Sequence, residues 1–300
     1  MSRIDVLTLG RVSVDLYPEQ IGVPLADVRT FRKMLGGSPT NVAVAAARLG
    51  RSAAVFTKVG ADGFGDYVRA ALERFGVCSS FVGTEPGLRT PLAFCEIFPP
   101  DRFPLLFYRE PTAPDLQLRE EDLANLPVED AGVLWVTGTG LAEEPSRSTT
   151  LAALRRRRRR AHTVFDLDYR PMLWREDAGP WYREAGELAT VIVGNAEEWS
   201  VLGVPPAGLE LAIEKLGRDG ARAVRERRSV VVSPISVDVV NGLGAGDAFG
   251  GALCHGLLAG WGLEALLRFA NAAGALVASR LGCSDDMPTA AEVEALLCVA

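Results

Sequence analysis

Three glycines alternate with small apolar residues and end on a carboxylate in Asn241-Gly242-Leu243-Gly244-Ala245-Gly246-Asp247. Gly242, Gly244 and Gly246 let backbone approach a ligand closely, and the first turn of a following helix offers N–H groups that have no intrahelical partner. An anion fits there, because free N–H groups and the positive end of a helix dipole both attract it. Phe249, Leu253 and Leu257 recur every four positions, so the spacing predicts a helix that starts near Asp247 and buries one face. The β-branched run Val237 to Val240 reads as a strand leading into the turn. Placed at the helix start, Asp247 is expected to stay ionised. It could accept the proton of a hydroxyl attacking a phosphoryl group that the Gly244, Ala245 and Gly246 backbone holds. An ordinary strand-to-helix turn, with Asp247 merely opening the helix, fits the same residues. A dinucleotide fingerprint fits less well, since that motif sits in the first βαβ unit and is followed about 20 residues later by an acidic strand end.

Other residues could complete such a site. Gly36-Gly37-Ser38-Pro39-Thr40-Asn41 precedes Val42, Ala45, Ala46 and Leu49 at helical spacing, with Ser38 as the expected N-cap and Pro39 in the first helical position. Asn41 would present an amide suited to sugar hydroxyls, although a tight turn with a local cap explains the segment equally well. Asp15 follows the first strand, where its carboxylate could accept two hydroxyls of a polyol or simply be solvated. Asp166, Asp168 and Arg170 close a later strand; the guanidinium suits a carboxylate or phosphate, or a salt bridge to one of the two aspartates. Asn195 and Glu198 are three apart at a helix start and could hold hydrated magnesium through water, or could only cap the helix.

The elements needed to position these residues are legible. Apolar runs at Val6–Leu9, Ala53–Val59, Gly132–Thr137, Thr163–Leu167 and Val191–Val193 alternate with helical periodicities, which predicts an α/β fold with a doubly wound, mostly parallel sheet flanked by helices. Residues 11–37 and 88–110 interrupt the alternation. They are expected to form a small β-sheet lid over the ligand edge of one domain spanning 1–300. The run Arg155 to Arg160 is expected to be the solvated end of a surface helix.

A formal charge of −6 argues against general nucleic-acid binding, and 48% hydrophobic residues supply a sizeable core. The five cysteines form no C-x-x-C pair, so reduced thiols in a cytoplasm are expected. No apolar stretch approaches the roughly 20 residues that span a bilayer, so neither export nor a membrane role is expected.

Taken together, the segment from Gly36-Gly37 to Gly50 and the segment Asn241 to Asp247 resemble the two signatures of the ribokinase or PfkB family of carbohydrate kinases, and the similarity runs along nearly the whole chain. The resemblance implies ATP and magnesium, with a monovalent cation left open, and phosphoryl transfer to a primary hydroxyl of a sugar-like acceptor. It implies Asp247 as the base, Gly244, Ala245 and Gly246 as the anion hole, and Asp15, Gly36, Gly37 and Asn41 around the acceptor. Asn195 and Glu198 would organise magnesium and phosphate. Lys215, Gly217 and Gly220 would lead to the adenine side, with Gly242 in the nucleotide loop and Asn271 opposite. Gly10 to Tyr17 and Asp166 to Trp174 are most similar to members that phosphorylate a keto-deoxy sugar acid of inositol breakdown; kinases of the isomeric 2-keto-3-deoxygluconate are the nearest competitor. A sugar acid needs a cation for its carboxylate, for which Arg170, Arg109 and Lys58 are candidates. Gly203 to Gly208 compresses the stretch before Lys215, so a covering helix is expected to be shortened or lost, and Arg222 to Ser229 leaves little room for a hairpin. A sugar-acid binding or regulatory protein on the same fold is the non-enzyme alternative, and a flat lid would allow pairing with a second copy.

Overall fold

The computed structural model describes residues 3–299. The chain begins with β1 (Val6–Leu9), β2 (Ser13–Pro18), β3 (Phe31–Gly36), α1 (Ser38–Arg48), β4 (Ala53–Val59), α2 (Gly63–Arg74), β5 (Val77–Cys78) and β6 (Val82–Thr84). It continues through β7 (Leu92–Cys95), β8 (Leu105–Tyr108), β9 (Val133–Thr137), α3 (Ser146–Arg157), β10 (Thr163–Asp166), α4 (Gly179–Leu188), β11 (Val191–Asn195) and α5 (Ala196–Leu202). The last third holds β12 (Leu211–Lys215), β13 (Ala221–Arg225), β14 (Arg228–Val232), α6 (Ala245–Leu258), α7 (Leu263–Ala278) and α8 (Ala290–Val299).

The larger sheet has the order β14-β13-β12-β11-β10-β9-β1-β4-β5, with β6 also on β4. All its pairings are parallel except the two that add the β13–β14 hairpin at one edge. Both faces are covered, which is why the strands read as continuous apolar runs. Leu7, Leu134, Val136 and Phe165 pack with α3, α4 and α5, whereas Val6, Val133, Trp135 and Val164 pack with α1, α6 and α7. Chain order reverses at β1: successive strands run outward through β4 on one side and through β9 to β12 on the other. Such a reversal opens a crevice at the carboxyl ends of the strands.

The segments that break the alternation form a second sheet, in the order β3-β2-β7-β8. Its pairings are antiparallel except between β2 and β7. Its hairpin tip reaches the glycine loop, where a Cβ on Gly242 would come within 2.8 Å of the Phe103 ring.

Two expectations are corrected. Val237 to Val240 form no strand; the Val240 and Asn241 N–H groups instead donate to the Ala278 carbonyl at the end of α7. As the spacing predicts, α6 begins near Asp247, at Ala245, and Asp247 lies in its first turn. Within the arginine run, secondly, Arg155, Arg158 and Arg160 are exposed at the end of α3 as expected, but Arg157 is not solvated. Arg157 is 1% exposed and donates to the carbonyls of Val128, Glu129, Ala131, Gly132 and Ala161, fastening α3 to the loop before β9. Arg157→Met would leave those acceptors unpaired, so urea unfolding should show a loss of about 2–3 kcal/mol. A loss below about 0.5 kcal/mol, the range of surface substitutions, would contradict this reading.

Between β11 and β12 only the seven-residue α5 covers the sheet, as the compressed sequence predicts, and Trp199 Nε1 pins it by donating to the Ile213 carbonyl at 3.1 Å. The β13–β14 hairpin does form; Glu226 turns it at φ 54°. Among the described residues no helix is long and apolar enough to cross a membrane.

Candidate active site

Parallel strands deliver their carboxyl ends to one edge. Arg11 follows β1, Thr139 follows β9, Asp166 ends β10 with Asp168 and Arg170 just beyond, Asn195 ends β11, and Lys215 ends β12. The N-termini of α1 and α6 meet this edge, and Asp15 enters from the second sheet.

Asp247 is held from across the chain. Ser38 Oγ donates to its Oδ1 at 2.7 Å and Asn41 Nδ2 donates to its Oδ2 at 2.8 Å. Ser38 is therefore not the N-cap: Gly37 occupies that place, and the Ser38 hydroxyl faces the carboxylate instead. Burial pushes the Asp247 pKa above the ordinary carboxylate range, partly offset by the Asn41 and Ser38 hydrogen bonds. The Asn41 and Ser38 hydrogen bonds favour the ionised form, and a carboxylate whose pKa is raised suits a proton acceptor.

Gly244 sits at φ 84°, and a Cβ there would fall 2.2 Å from Cys283 Sγ, so only glycine fits. The loop leaves donors free. Among the described residues the N–H groups of Gly244, Gly246 and Asp247 find no acceptor, while Ala245 N–H has only a 3.4 Å contact to the Gly242 carbonyl. Free N–H groups at a helix start are an anion site.

Gly37 adopts φ 97°, and a Cβ there would lie 2.4 Å from the Arg11 carbonyl oxygen. Beside it Gly36 faces the Asp15 carboxylate, 2.0 Å from where its own Cβ would be. Asp15 accepts from Ser13 Oγ at 2.6 Å; burial raises its pKa to about 6 despite that hydrogen bond and the nearby Arg11 charge. Because the unfolded chain ionises this group above about 3.8 and the folded one only above about 6, the folded state holds the extra proton between those values. Stability from Asp15 is then full below pH 3.8 and is lost as pH rises through about 6. Asp15→Asn should become more stable relative to the unsubstituted chain, by about 2 kcal/mol, between about pH 4 and 7 in denaturant titrations. A pH-independent difference would contradict the raised pKa.

Asp168 gathers two guanidinium groups. Its Oδ1 accepts from Arg170 Nε at 3.0 Å, and its Oδ2 lies 3.5 Å from Arg11 Nη2 and 3.2 Å from Thr139 Oγ1. Burial alone would raise its pKa, but Arg170 and Arg11 hold it below the usual range. Lys215 Nζ stands 3.4 Å from Asp166 and 3.7 Å from Glu198. Burial opposes its charge, yet these carboxylates more than offset that and keep it protonated. A Cβ on Gly246 would sit 3.8 Å from the ammonium, so Lys215 faces the glycine loop. Asn195 and Glu198 form a reciprocal capping box on α5, each side chain accepting from the other's N–H, at 2.9 and 2.7 Å.

Two expected cations are otherwise engaged. Arg109 is ion-paired with buried Asp115, and Lys58 is enclosed by Glu85, Asp122 and the Gln117 carbonyl. Gly217 and Gly220 shape the β12–β13 turn, and Asn271 on α7 donates to the Ser233 carbonyl at 3.2 Å. A separate cavity of about 680 Å³ beside Trp261, Arg268 and Leu297 holds none of these residues.

Residues 3–290 match the model of the pfkB family carbohydrate kinases. The chain belongs to that family. It is 32% identical over 312 residues to a protein of Clostridium tetani named 5-dehydro-2-deoxygluconokinase, covering 97% of this chain and 92% of the relative. An uncharacterized sugar kinase from Pyrococcus horikoshii, solved in complex with ATP, superposes with a TM-score of 0.85 at 29% identity, covering 97% of this chain and 99% of that one. A Xylella fastidiosa fructokinase with bound ATP gives 0.86 at 26% identity, with 98% of each chain covered. The chain is thus a carbohydrate kinase.

Sequence reading misses several residues that the structure gathers around Asp247 and Asp168. Helical spacing gives Ser38 only a capping role, and it gives Arg11 none although that residue directly follows the first strand. Cys283 and Ser284 lie beside Asp247 and Asn41, with Cys283 Sγ 3.9 Å from Asp247 Oδ2 and Ser284 Oγ 3.1 Å from Asn41 Oδ1. Nothing in the local pattern of that late loop announces them.

Proposed function

We propose that this kinase transfers the terminal phosphoryl group of ATP to the terminal hydroxyl of 5-dehydro-2-deoxygluconate, with Asp247 as general base. The observation that carries the mechanism is the Asp247 carboxylate, clamped by Ser38 and Asn41 at a helix start whose N–H groups are free. The names of relatives at 32% identity support the acceptor, as does the guanidinium of Arg170 at the strand edge.

The free N–H groups and the ammonium of Lys215 suit a polyphosphate, so the donor's phosphates belong over Gly244, Ala245 and Gly246. Asn195 and Glu198 at the start of α5 are the residues that would hold a hydrated magnesium ion beside those phosphates. Magnesium would neutralise phosphate charge. Asp247 takes the proton as the acceptor oxygen attacks, the backbone N–H groups and Lys215 stabilise charge on the moving phosphoryl group, and Asp15 and Asn41 orient acceptor hydroxyls. The second sheet covers the acceptor. Its outer face exposes Tyr108 (59%) and Leu106 (46%) beside the edge-to-face aromatics Phe31 and Phe94, a surface for a second copy of the chain. Leu106→Glu with Tyr108→Glu should convert a dimer to monomers in sedimentation; an unsubstituted chain that sediments as a monomer at high concentration would contradict the pairing.

Coupled ADP release tests the reaction. With magnesium and ATP, 5-dehydro-2-deoxygluconate should drive turnover, and 2-keto-3-deoxygluconate, ribose, fructose and a blank should not. Turnover confined to another acceptor would replace the substrate and keep the mechanism, whereas ADP release independent of every acceptor would overturn the proposal.

A further inference from the structure

Two guanidinium groups share one carboxylate at the crevice floor. Arg170 Nε makes the close contact to Asp168, at 3.0 Å, whereas Arg11 reaches the same side chain only at 3.5 Å. No other acidic group lies within 4 Å of the Arg11 guanidinium among the described residues, and its Nε is buried with no hydrogen-bond partner. Arg11 is nevertheless 8% exposed. A buried cation with half a counter-ion is costly unless an anion completes it. The other cations near the crevice are already matched: Arg109 by Asp115, Lys58 by Glu85 and Asp122, and Lys215 by Asp166 and Glu198.

The position of Arg11 is built, not incidental. Thr40 Oγ1 donates to its carbonyl at 3.0 Å, Asp115 Oδ2 accepts from the next N–H at 2.8 Å, and Gly37 packs directly on its backbone. On the lid side the guanidinium lies over the Phe107 ring, 5.6 Å from the centroid, within cation–π range. Arg11 thus spans the core and the second sheet, and its charge acts on both Asp15 and Asp247.

We infer that Arg11 is a specificity-determining residue that receives the acceptor's carboxylate, with Asp168 fixing its fork and Phe107 closing over it. The inference rests on the sugar-acid reading above and names the side chain that would enforce it. A bidentate guanidinium–carboxylate pair rejects a neutral analogue strongly, because the buried fork would be left unpaired.

The test compares 5-dehydro-2-deoxygluconate with its carboxamide as acceptors for the unsubstituted enzyme, Arg11→Gln, Arg11→Lys and Arg170→Gln. The unsubstituted enzyme should prefer the acid by about 10²-fold or more in kcat/KM. Arg11→Gln should erase most of that preference by raising the acid's KM, with the amide's kcat/KM falling far less than the acid's and the KM for ATP within about three-fold. Arg11→Lys, which keeps the charge without the fork, should recover part of it and guards against a folding defect in the glutamine variant. An Arg11→Gln enzyme that still discriminates fully would overturn this inference alone and give the carboxylate to Arg170. Equal losses on acid and amide would also overturn it. An unsubstituted enzyme that uses neither acceptor would overturn this inference and the sugar-acid reading together.

Discussion

Replacing Asp247 with Asn should lower kcat by about 10²–10⁴ while the KM values of acceptor and ATP stay within a few-fold. Asparagine keeps the shape of the side chain and an oxygen for one of the Ser38 and Asn41 contacts, so binding geometry survives and only the proton acceptor is lost. Because burial raises the Asp247 pKa, kcat/KM should rise with pH along an acid limb above the ordinary carboxylate range, and the variant should lack that limb. Steady-state kinetics from about pH 4.5 to 8 reads both effects. An Asp247→Asn enzyme with near-normal turnover would remove Asp247 from the chemistry and leave it a positioning role.

Gly37→Ala should be nearly as damaging, through the backbone. At φ 97° an alanine is strained whatever the space around it, and here the added methyl meets the Arg11 carbonyl at 2.4 Å, an atom that Thr40 holds in place. Strain and overlap together should cost about 3–5 kcal/mol in urea unfolding. The protein that remains folded should bind acceptor at least about ten-fold more weakly, because shifting the Arg11 backbone moves that guanidinium and the start of α1, which carries Ser38 and Asn41. A variant with unchanged stability and acceptor KM would show that the Gly37 conformation is not needed.

The fold was legible where strands are buried on both faces. The apolar runs Val6–Leu9 and Ala53–Val59 are β1 and β4 residue for residue, since a covered parallel strand has no polar face to interrupt it. The rule failed at Val237 to Val240, where β-branched composition is present but the chain has passed the edge hairpin and finds the end of α7 as its partner. The two glycine motifs, far apart in sequence, meet in the fold, where Ser38 and Asn41 contact Asp247. Their partners were not readable, because Ser38 meets Asp247 across 209 positions and Arg11 meets Asp168 across 157. The six arginines looked like a solvated run because local sequence does not reveal that the loop before β9 turns its carbonyls toward Arg157. Lys215 was visible as a strand end, but its place against the glycine loop depends on the register of β12 beside β11.

Whether the crevice around Asp247 phosphorylates the terminal hydroxyl of a sugar acid is read from phosphorus NMR of the product. After reaction of 5-dehydro-2-deoxygluconate with ATP and magnesium, the product should show a phosphomonoester signal coupled to the two protons of a terminal methylene. Inorganic phosphate alone, or a phosphoester coupled to a single methine proton, would contradict it.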